Sequence, residues 1–294
     1  MARTNKAKGK AKKFVLDSEN YYSVEANMRY VSVSQYKKFV GSVYMNDYCE
    51  VAALAEAKGE IERPTTTALL IGSYVDEALT GDLEKFKSEH PEVFVSRGDR
   101  KGELKADYLQ AETMIARARK DPTFMAYVDG GVHQAIYTGQ IEDVDVKIKI
   151  DHVAYLHGKP VALVDLKTVR SMEETFRVPD SGEYITWLEK WGYDLQGAVY
   201  QCIFEQNTGL KLPFYIAAIS KDKDSAGVAH PRLKIIQIPQ TKLDERLVEV
   251  KQNIGKIQMI KTGEIEAVAC GHCDYCADTL PCDIITMDEL ILGT

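Results

Sequence analysis

The 294-residue sequence contains no apolar run approaching the roughly 20 residues a membrane-crossing helix requires, which excludes a helical span. Its first residues hold no apolar stretch of the kind found in secretory signals. The six cysteines are therefore expected as thiols in a reducing, cytoplasmic setting rather than as a disulfide scaffold. Histidine is sparse, at positions 90, 133, 152, 157, 230 and 272, with no pair four apart, so a zincin-like or His-based hydrolase has no support. No G-x-x-x-x-G-K-[ST] loop occurs, and ATP-driven translocation is not encoded. No internal repeat is present. Acidic residues are absent from positions 1–13, where Arg3, Lys6, Lys8, Lys10, Lys12 and Lys13 fall; the rest of the chain then carries 31 basic against 44 acidic residues. A basic nucleic-acid coat over the whole surface is excluded.

What is present is a chain with 45% hydrophobic and 9% aromatic residues, enough for a substantial core. Residues 1–20 read as a flexible basic tail and 21–294 as one domain, with 266–294 a cysteine segment packed on the N-terminal helices. Residues 33–58 are mostly helical, with Ser32 and Ser34 placed to cap a helix starting near Gln35. After a break at 59–63, Pro64 opens a second helix whose buried rows are Leu70, Tyr74, Ala78 and Ile71, Val75, Leu79. Gly72 and Asp76 stack four apart on a neighbouring face. Residues 96–105 form a charged loop in which Arg97, Arg100, Lys101 and Lys105 could grip phosphate or simply face solvent, and 106–119 are helical.

From Val132 the period becomes two. Val144, Val146, Ile148 and Ile150 alternate with charged residues up to Asp151, and VALVDLKTV forms a strand on which Val161, Leu163, Asp165 and Lys167 share a face. A turn at His157–Pro160 pairs the two strands with partners summing to about 317, which sets Asp151 opposite position 166 and close to Asp165 and Lys167. A long helix over 183–206 carries Gln196 and Tyr200 four apart. Strands at 212–219 and 232–238 and a helix at 241–262 follow. The fold class is α/β (α+β), a mixed sheet flanked by helices.

Two carboxylates meeting on a strand pair raise one another's pKa and cost stability unless a cation neutralises them. A Mg2+ or Mn2+ ion, which takes carboxylate oxygens and keeps room for water and phosphate, resolves the repulsion. Asp151 and Asp165 are the expected ligands, Asp76 a third, Glu77 an alternative donor, and Lys167 a group that orients the attacking water or helps deprotonate it. The acidic Glu142, Asp143 and Asp145 read most simply as a solvated strand end. The plainer alternative for the pair is a cross-strand salt bridge between Asp151 and Lys167, worth up to about 1 kcal/mol. His152 points to the other strand face and reads as core.

These residues resemble the PD-(D/E)xK nuclease superfamily, and within it the branch holding RecB, RecE and lambda exonuclease. IDHV followed by VDLKT resembles the D…(D/E)-x-K core, GSYVDEAL the G-x-x-x-H helix and YDLQGAVY the Q-x-x-x-Y helix, in the family's order. VSVSQYKKF and CEVAAL resemble phage-encoded RecE-like exonucleases. The resemblance implies Asp151 and Asp165 as metal ligands, Lys167 as the catalytic lysine and Gln196 and Tyr200 along the DNA path; Asp76 stands where many relatives carry histidine. It further implies digestion of double-stranded DNA ends, 5′ to 3′, in recombination, beside a single-strand annealing protein, as a homo-oligomeric ring in a bacterial, phage- or prophage-encoded setting.

Cys270, Cys273, Cys276 and Cys282 read as C-x2-C-x2-C-x5-C, a spacing that binds Zn2+ or an iron–sulfur cluster. The last three resemble the C-terminal triplet of AddB-like and CRISPR-associated nucleases, where a distant N-terminal cysteine completes a 4Fe-4S site. The resemblance implies Cys49, Cys273, Cys276 and Cys282 as ligands, iron–sulfur ahead of zinc, and a structural staple. The compact triplet Cys270, Cys273 and Cys276 with Cys49 is the alternative set. Cys202 reads as core, and His272 as a weaker ligand than any cysteine.

Overall fold

A computed structural model describes residues 14–41, 48–62, 65–178, 181–282, 284, 286 and 287. Helix α1 (Val24–Arg29) is followed by α2 (Val33–Val40), where Ser32 and Gln35 form a reciprocal capping box. Helix α3 (Glu50–Ala57) starts at Cys49. The helical stretch expected over 33–58 is thus two helices, since Gly41 adopts φ +76 and ends α2; positions 42–47 lie outside the described residues. Pro64 also lies outside them, and α4 (Thr67–Thr80) starts after the Thr66 side-chain cap. Of the expected tail, residues 1–13 are outside the described residues. Phe14 packs its ring against Tyr30, 6.4 Å between centroids, with the Arg29 guanidinium over it, so position 14 is already packed on the domain.

Helices α5 (Leu83–Glu89), α6 (Ala106–Arg119) and α7 (Pro122–Val128) complete the N-terminal half. Then come β1 (Gly131–Ile141), β2 (Val144–Leu156), β3 (Lys159–Val169), β4 (Thr175–Arg177) and β5 (Tyr184–Thr186). Next are α8 (Trp187–Lys190), α9 (Tyr193–Thr208), β6 (Phe214–Ser220), β7 (Leu233–Gln237), α10 (Gln240–Thr262) and α11 (Asp274–Thr279). The helix expected to start at 183 starts at Tyr193. Residues 184–186 pair antiparallel with 175–177, and Gly192, at φ +60, breaks α8 from α9.

The main sheet runs β1-β2-β3-β6-β7, with β3 and β6 parallel and the other neighbours antiparallel. Each face buries its own core. Helices α2, α9 and α10 cover one face, where Ile148, Ile150, Leu163 and Phe214 are fully buried, each contributing roughly 1.5–3 kcal/mol. Helices α4, α6 and α7 cover the other, around Tyr74, Met114, Phe124 and Val164. Helix α9 lies close to β6 because position 197 is glycine: a Cβ there would stand 2.3 Å from the Phe214 ring. Two buried lysines tie α1 to the rest. Lys147 of β2 donates to the Asn27 side chain, and Lys261 of α10 donates to the Asn27 and Tyr30 carbonyls and the Gln35 side chain.

Candidate active site

The β2–β3 register is His152↔Val164, Val153↔Leu163 and Ala154↔Ala162, with a bulge between Ala154 and Tyr155. The partners there sum to 316 rather than about 317, because the turn falls at His157 and Gly158 and the bulge restores only one of the two positions; the paired ladder ends at His152↔Val164, with Asp151 just beyond it. Asp151 Oδ2 accepts from the Leu166 amide at 3.1 Å. Asp165 is buried and held from two sides: Gln196 Nε2 of α9 donates to Oδ1 at 2.6 Å, and the Lys167 ammonium contacts Oδ2. The α9 helix that carries Gln196 also brings Tyr200, half-buried, beside the two carboxylates; burial, with Tyr21, Asp165 and Asp151 adding to it, pushes its hydroxyl well above the ordinary value.

The electrostatics follow from burial. Asp151 is pushed well above the carboxylate range by desolvation, then by the Asp165 charge and more weakly by Asp76, with Lys167 opposing. Burial works against the Lys167 ammonium, but Asp165 and Asp151 outweigh it and hold its pKa above the usual lysine value. Two residues absent from the sequence reading join here. The Tyr193 ring lies between Lys167 Nζ at 5.1 Å and Lys37 Nζ at 5.4 Å, and burial plus the Lys167 charge pushes Lys37 down to about 8. Lys37 lies in the VSVSQYKKF segment noted above, but no site role was legible for it, because α2 reaches the carboxylates only through the tertiary fold.

Asp76 projects from α4, which approaches β3 where Gly72 faces Thr168; a Cβ at Gly72 would be 3.9 Å from its hydroxyl. Its Oδ2 accepts from Gln134 Nε2 at 2.9 Å and its Oδ1 lies 3.4 Å from His152 Nε2. Gln134 sits opposite Asp151 between the pairs His133↔His152 and Ala135↔Ile150, at φ +50. Strand alternation breaks at this point: Ile150 and Val153 pack in the same core, whereas His152 turns to the α4 side. His152 is buried, as expected, but in polar company, its Nδ1 2.8 Å from His133 Nδ1. Glu77 instead turns to its own helix end, accepting from the Asp82 amide.

The chemistry of the donor set suits a divalent cation. Asp165 Oδ2 is buried against the Lys167 ammonium, Asp76 Oδ1 is a buried oxygen 3.4 Å from His152 Nε2, and Asp151 carries repulsion from both acids that Lys167 opposes; among the described residues no three of these side chains bring donor atoms within 4.8 Å of one another. Hard oxygen donors of this kind match Mg2+ or Mn2+.

Far from the carboxylates in sequence, four thiols gather in an arrangement that could hold a metal. The Sγ atoms of Cys49, Cys270, Cys273 and Cys276 all lie within 4.8 Å of one another, the one such set of three or more candidate ligands among the described residues. Cys49 and Cys276 are 3.6 Å apart and Cys270 and Cys276 3.8 Å. Amides of His272 and Cys273 push Cys270 down to about 6, and burial leads in pushing Cys273 up to about 12. Cys270 therefore takes the fourth place assigned above to Cys282. The physical reason is local: Cys273 and Cys276 lie at the start of α11, the chain turns extended at Leu280, and Cys282 is carried to an exposed position outside the set. His272 turns its ring to the Cys270 carbonyl, 2.9 Å away. Buried Glu50 accepts from the Val268 amide at 2.9 Å and pairs with Lys256, joining α3 to the C-terminal segment. Cys202 is half-buried against the α9 core.

Among the described residues no helix is long and apolar enough to cross a membrane. No curated protein matches the chain. The crystal structure of a protein of Eubacterium rectale, named "putative exonuclease", superposes with a TM-score of 0.84 at 41% identity, covering 96% of this chain and 100% of that one. The solved structure of SSO0001 aligns over 78% of this chain and 91% of its own with 15% identity and a TM-score of 0.27, too low to bear on the fold. The PDDEXK-like domain of unknown function (DUF3799) matches residues 32–279. With the Asp151, Asp165 and Lys167 arrangement on adjacent strands of a mixed sheet, the chain belongs to this PDDEXK-like family and is a nuclease of the PD-(D/E)xK type.

Proposed function

We propose that this nuclease is a divalent-metal-dependent DNA exonuclease that hydrolyses phosphodiester bonds at double-stranded ends, working 5′ to 3′ in recombination beside a single-strand annealing protein. The observation that carries the reading is Asp165: buried, clamped by Gln196 and Lys167, and followed by Leu166, whose amide donates to Asp151. Asp151 and Asp165, with Asp76, would hold the ion. Mg2+ or Mn2+ there would polarise the phosphoryl oxygens and favour ionisation of a water. Gln196 fixes the rotamer of Asp165 by its 2.6 Å hydrogen bond, so the carboxylate needs little reorganisation. Lys167, kept as an ammonium by its two acidic neighbours, donates to the attacking water or the phosphate and stabilises charge as the new oxygen–phosphorus bond forms and the bond to the leaving O3′ breaks. The product retains a 5′ phosphate.

The cysteine set fits a 4Fe-4S cluster, with Zn2+ the alternative, and would fasten α3 to the C-terminal segment as a structural staple. Linear, circular and nicked duplexes incubated with Mg2+ test the function. Digestion confined to DNA with ends is expected, and Lys167→Ala should lower the rate about 100- to 1000-fold without unfolding. Undiminished digestion by that variant would overturn the assignment, and DNA binding without cleavage by the wild type would make the chain an assembly module. Cleavage of circles would make it an endonuclease.

A further inference from the structure

The Lys37 ammonium is built into the edge of the site with no acid in contact to neutralise it. It is half-buried, and its contacts among the described residues are the Trp191 carbonyl, which accepts from Nζ at 2.7 Å, and the Tyr193 ring, 5.4 Å from Nζ. Asp165 and Asp194 attract it only from beyond ion-pair distance, and burial together with the Lys167 charge outweighs them. Lys38, the next residue of α2, instead turns to Glu56 and is neutralised within the fold.

The chain holds Lys37 in this place by a particular piece of backbone. Trp191 and Gly192 form the turn between α8 and α9, and Gly192 takes φ +60. A Cβ at Gly192 would stand 3.0 Å from Lys37 Cε, so the absence of a side chain there lets the lysine stem lie along the turn. Tyr193 then opens α9, the helix that carries Gln196 to Asp165, and its ring also neighbours Lys167 Nζ at 5.1 Å. Two ammoniums thus share one ring as a neighbour, in different company: Lys167 is paired with Asp165, whereas Lys37 meets only uncharged groups. A cation disfavoured by burial and by a like charge, and held by neutral groups beside a phosphodiester-cleaving site, is relieved by an incoming phosphate.

Resting on the nuclease reading above, we infer that Lys37 binds the DNA phosphate next to the scissile one on the cleaved strand, and so sets the position of that strand across Asp165 and Lys167 without taking part in the bond-breaking step. Phosphate contacts of this kind fix register and carry no sequence information, so the effect is the same on every duplex sequence.

Single-turnover release of the first nucleotide from an end-labelled linear duplex, by the intact chain with Mg2+, separates binding from chemistry. Lys37→Gln should raise the half-saturating protein concentration and leave the maximal rate within about twofold, as for a contact made equally in the ground and transition states. Loss of one phosphate contact lowers the slope of log affinity against log salt by about 0.9, so the deficit should shrink about 3.5-fold between about 50 and 200 mM salt. Lys37→Arg keeps a phosphate donor and should keep the wild-type slope. Lys159→Gln, an equal loss of charge at the exposed β2–β3 turn, should keep it too. If Lys37 only fastens α2 to the α8–α9 turn, Lys37→Gln will melt lower or turn over more slowly with the wild-type salt slope, and that result overturns the phosphate contact. A fall in maximal rate with half-saturation unchanged overturns it as well. Where the wild type still digests linear duplex in either case, the nuclease reading stands; no digestion by the wild type overturns both.

Discussion

Replacing Asp151 by asparagine should make the metal-free protein more stable while destroying its activity. Asp151 and Asp165 stand on adjacent strands, where neighbouring side chains are about 4.5–5.5 Å apart. Two like charges at that spacing repel by roughly 3–4 kcal/mol at an effective dielectric near 20. The Lys167 ammonium offsets part of this, and an asparagine oxygen can still accept from the Leu166 amide, so the net gain is about 1–3 kcal/mol. For a chain of this size that is roughly 2–6 °C in Tm. The sign against pH is fixed by the raised folded-state pKa of Asp151. The folded chain holds that proton more tightly than the unfolded one, so stability falls as pH climbs from the ordinary carboxylate range through the folded pKa, and the cost is complete above it. The advantage of Asp151→Asn should therefore be present at neutral pH and vanish in acid. Saturating Mg2+ should reverse the order, since a ligand at 100 times its Kd stabilises the wild type by about 2.7 kcal/mol. Thermal melts with chelator and with Mg2+, at neutral and acid pH, measure all of this. A variant less stable than the wild type in chelator at neutral pH would refute the electrostatic account.

Gln196→Leu removes the donor to Asp165 Oδ1 and should cut activity about 10- to 100-fold with the fold retained; rates on linear duplex check it. Cys282→Ser should keep its bound metal, whereas Cys49→Ser and Cys270→Ser should lose it, as read by metal analysis and by visible absorbance of the purified proteins. Gly197→Ala drives a methyl into the Phe214 ring and should cost about 1–3 kcal/mol in denaturant melts.

Much of the site could be read locally. Period-two alternation placed Asp165 and Lys167 on one face of one strand, and the short His157–Gly158 turn brought Asp151 beside them, since both facts depend on neighbours a few residues away. The register differs by one residue because the turn falls at His157 and Gly158 rather than Gly158 and Lys159, and the bulge at Ala154 and Tyr155, which has no signature in side-chain pattern, restores one of the two positions. The helix expected from 183 differs for a related reason: 184–186 pair with 175–177 and Gly192 cuts the short helix α8 from α9, and strand pairing is a non-local gain that helical periodicity does not register.

The chain alone thus determined the chemistry available: two acids and a lysine on adjacent strands, a glutamine helix after them and a clustered set of thiols. Spacing of two or four residues sets such placements through backbone geometry. Only the tertiary structure decided which groups meet. The four sulfurs converge because α3 and α11 dock through Glu50 and the C-terminal segment, which selects Cys270 over Cys282. Asp76, Gln134 and His152 meet because two strands lose their alternation at one level of the sheet, and the cost of a positive φ at Gln134 is met only by contacts that exist once α4 has packed against the strands.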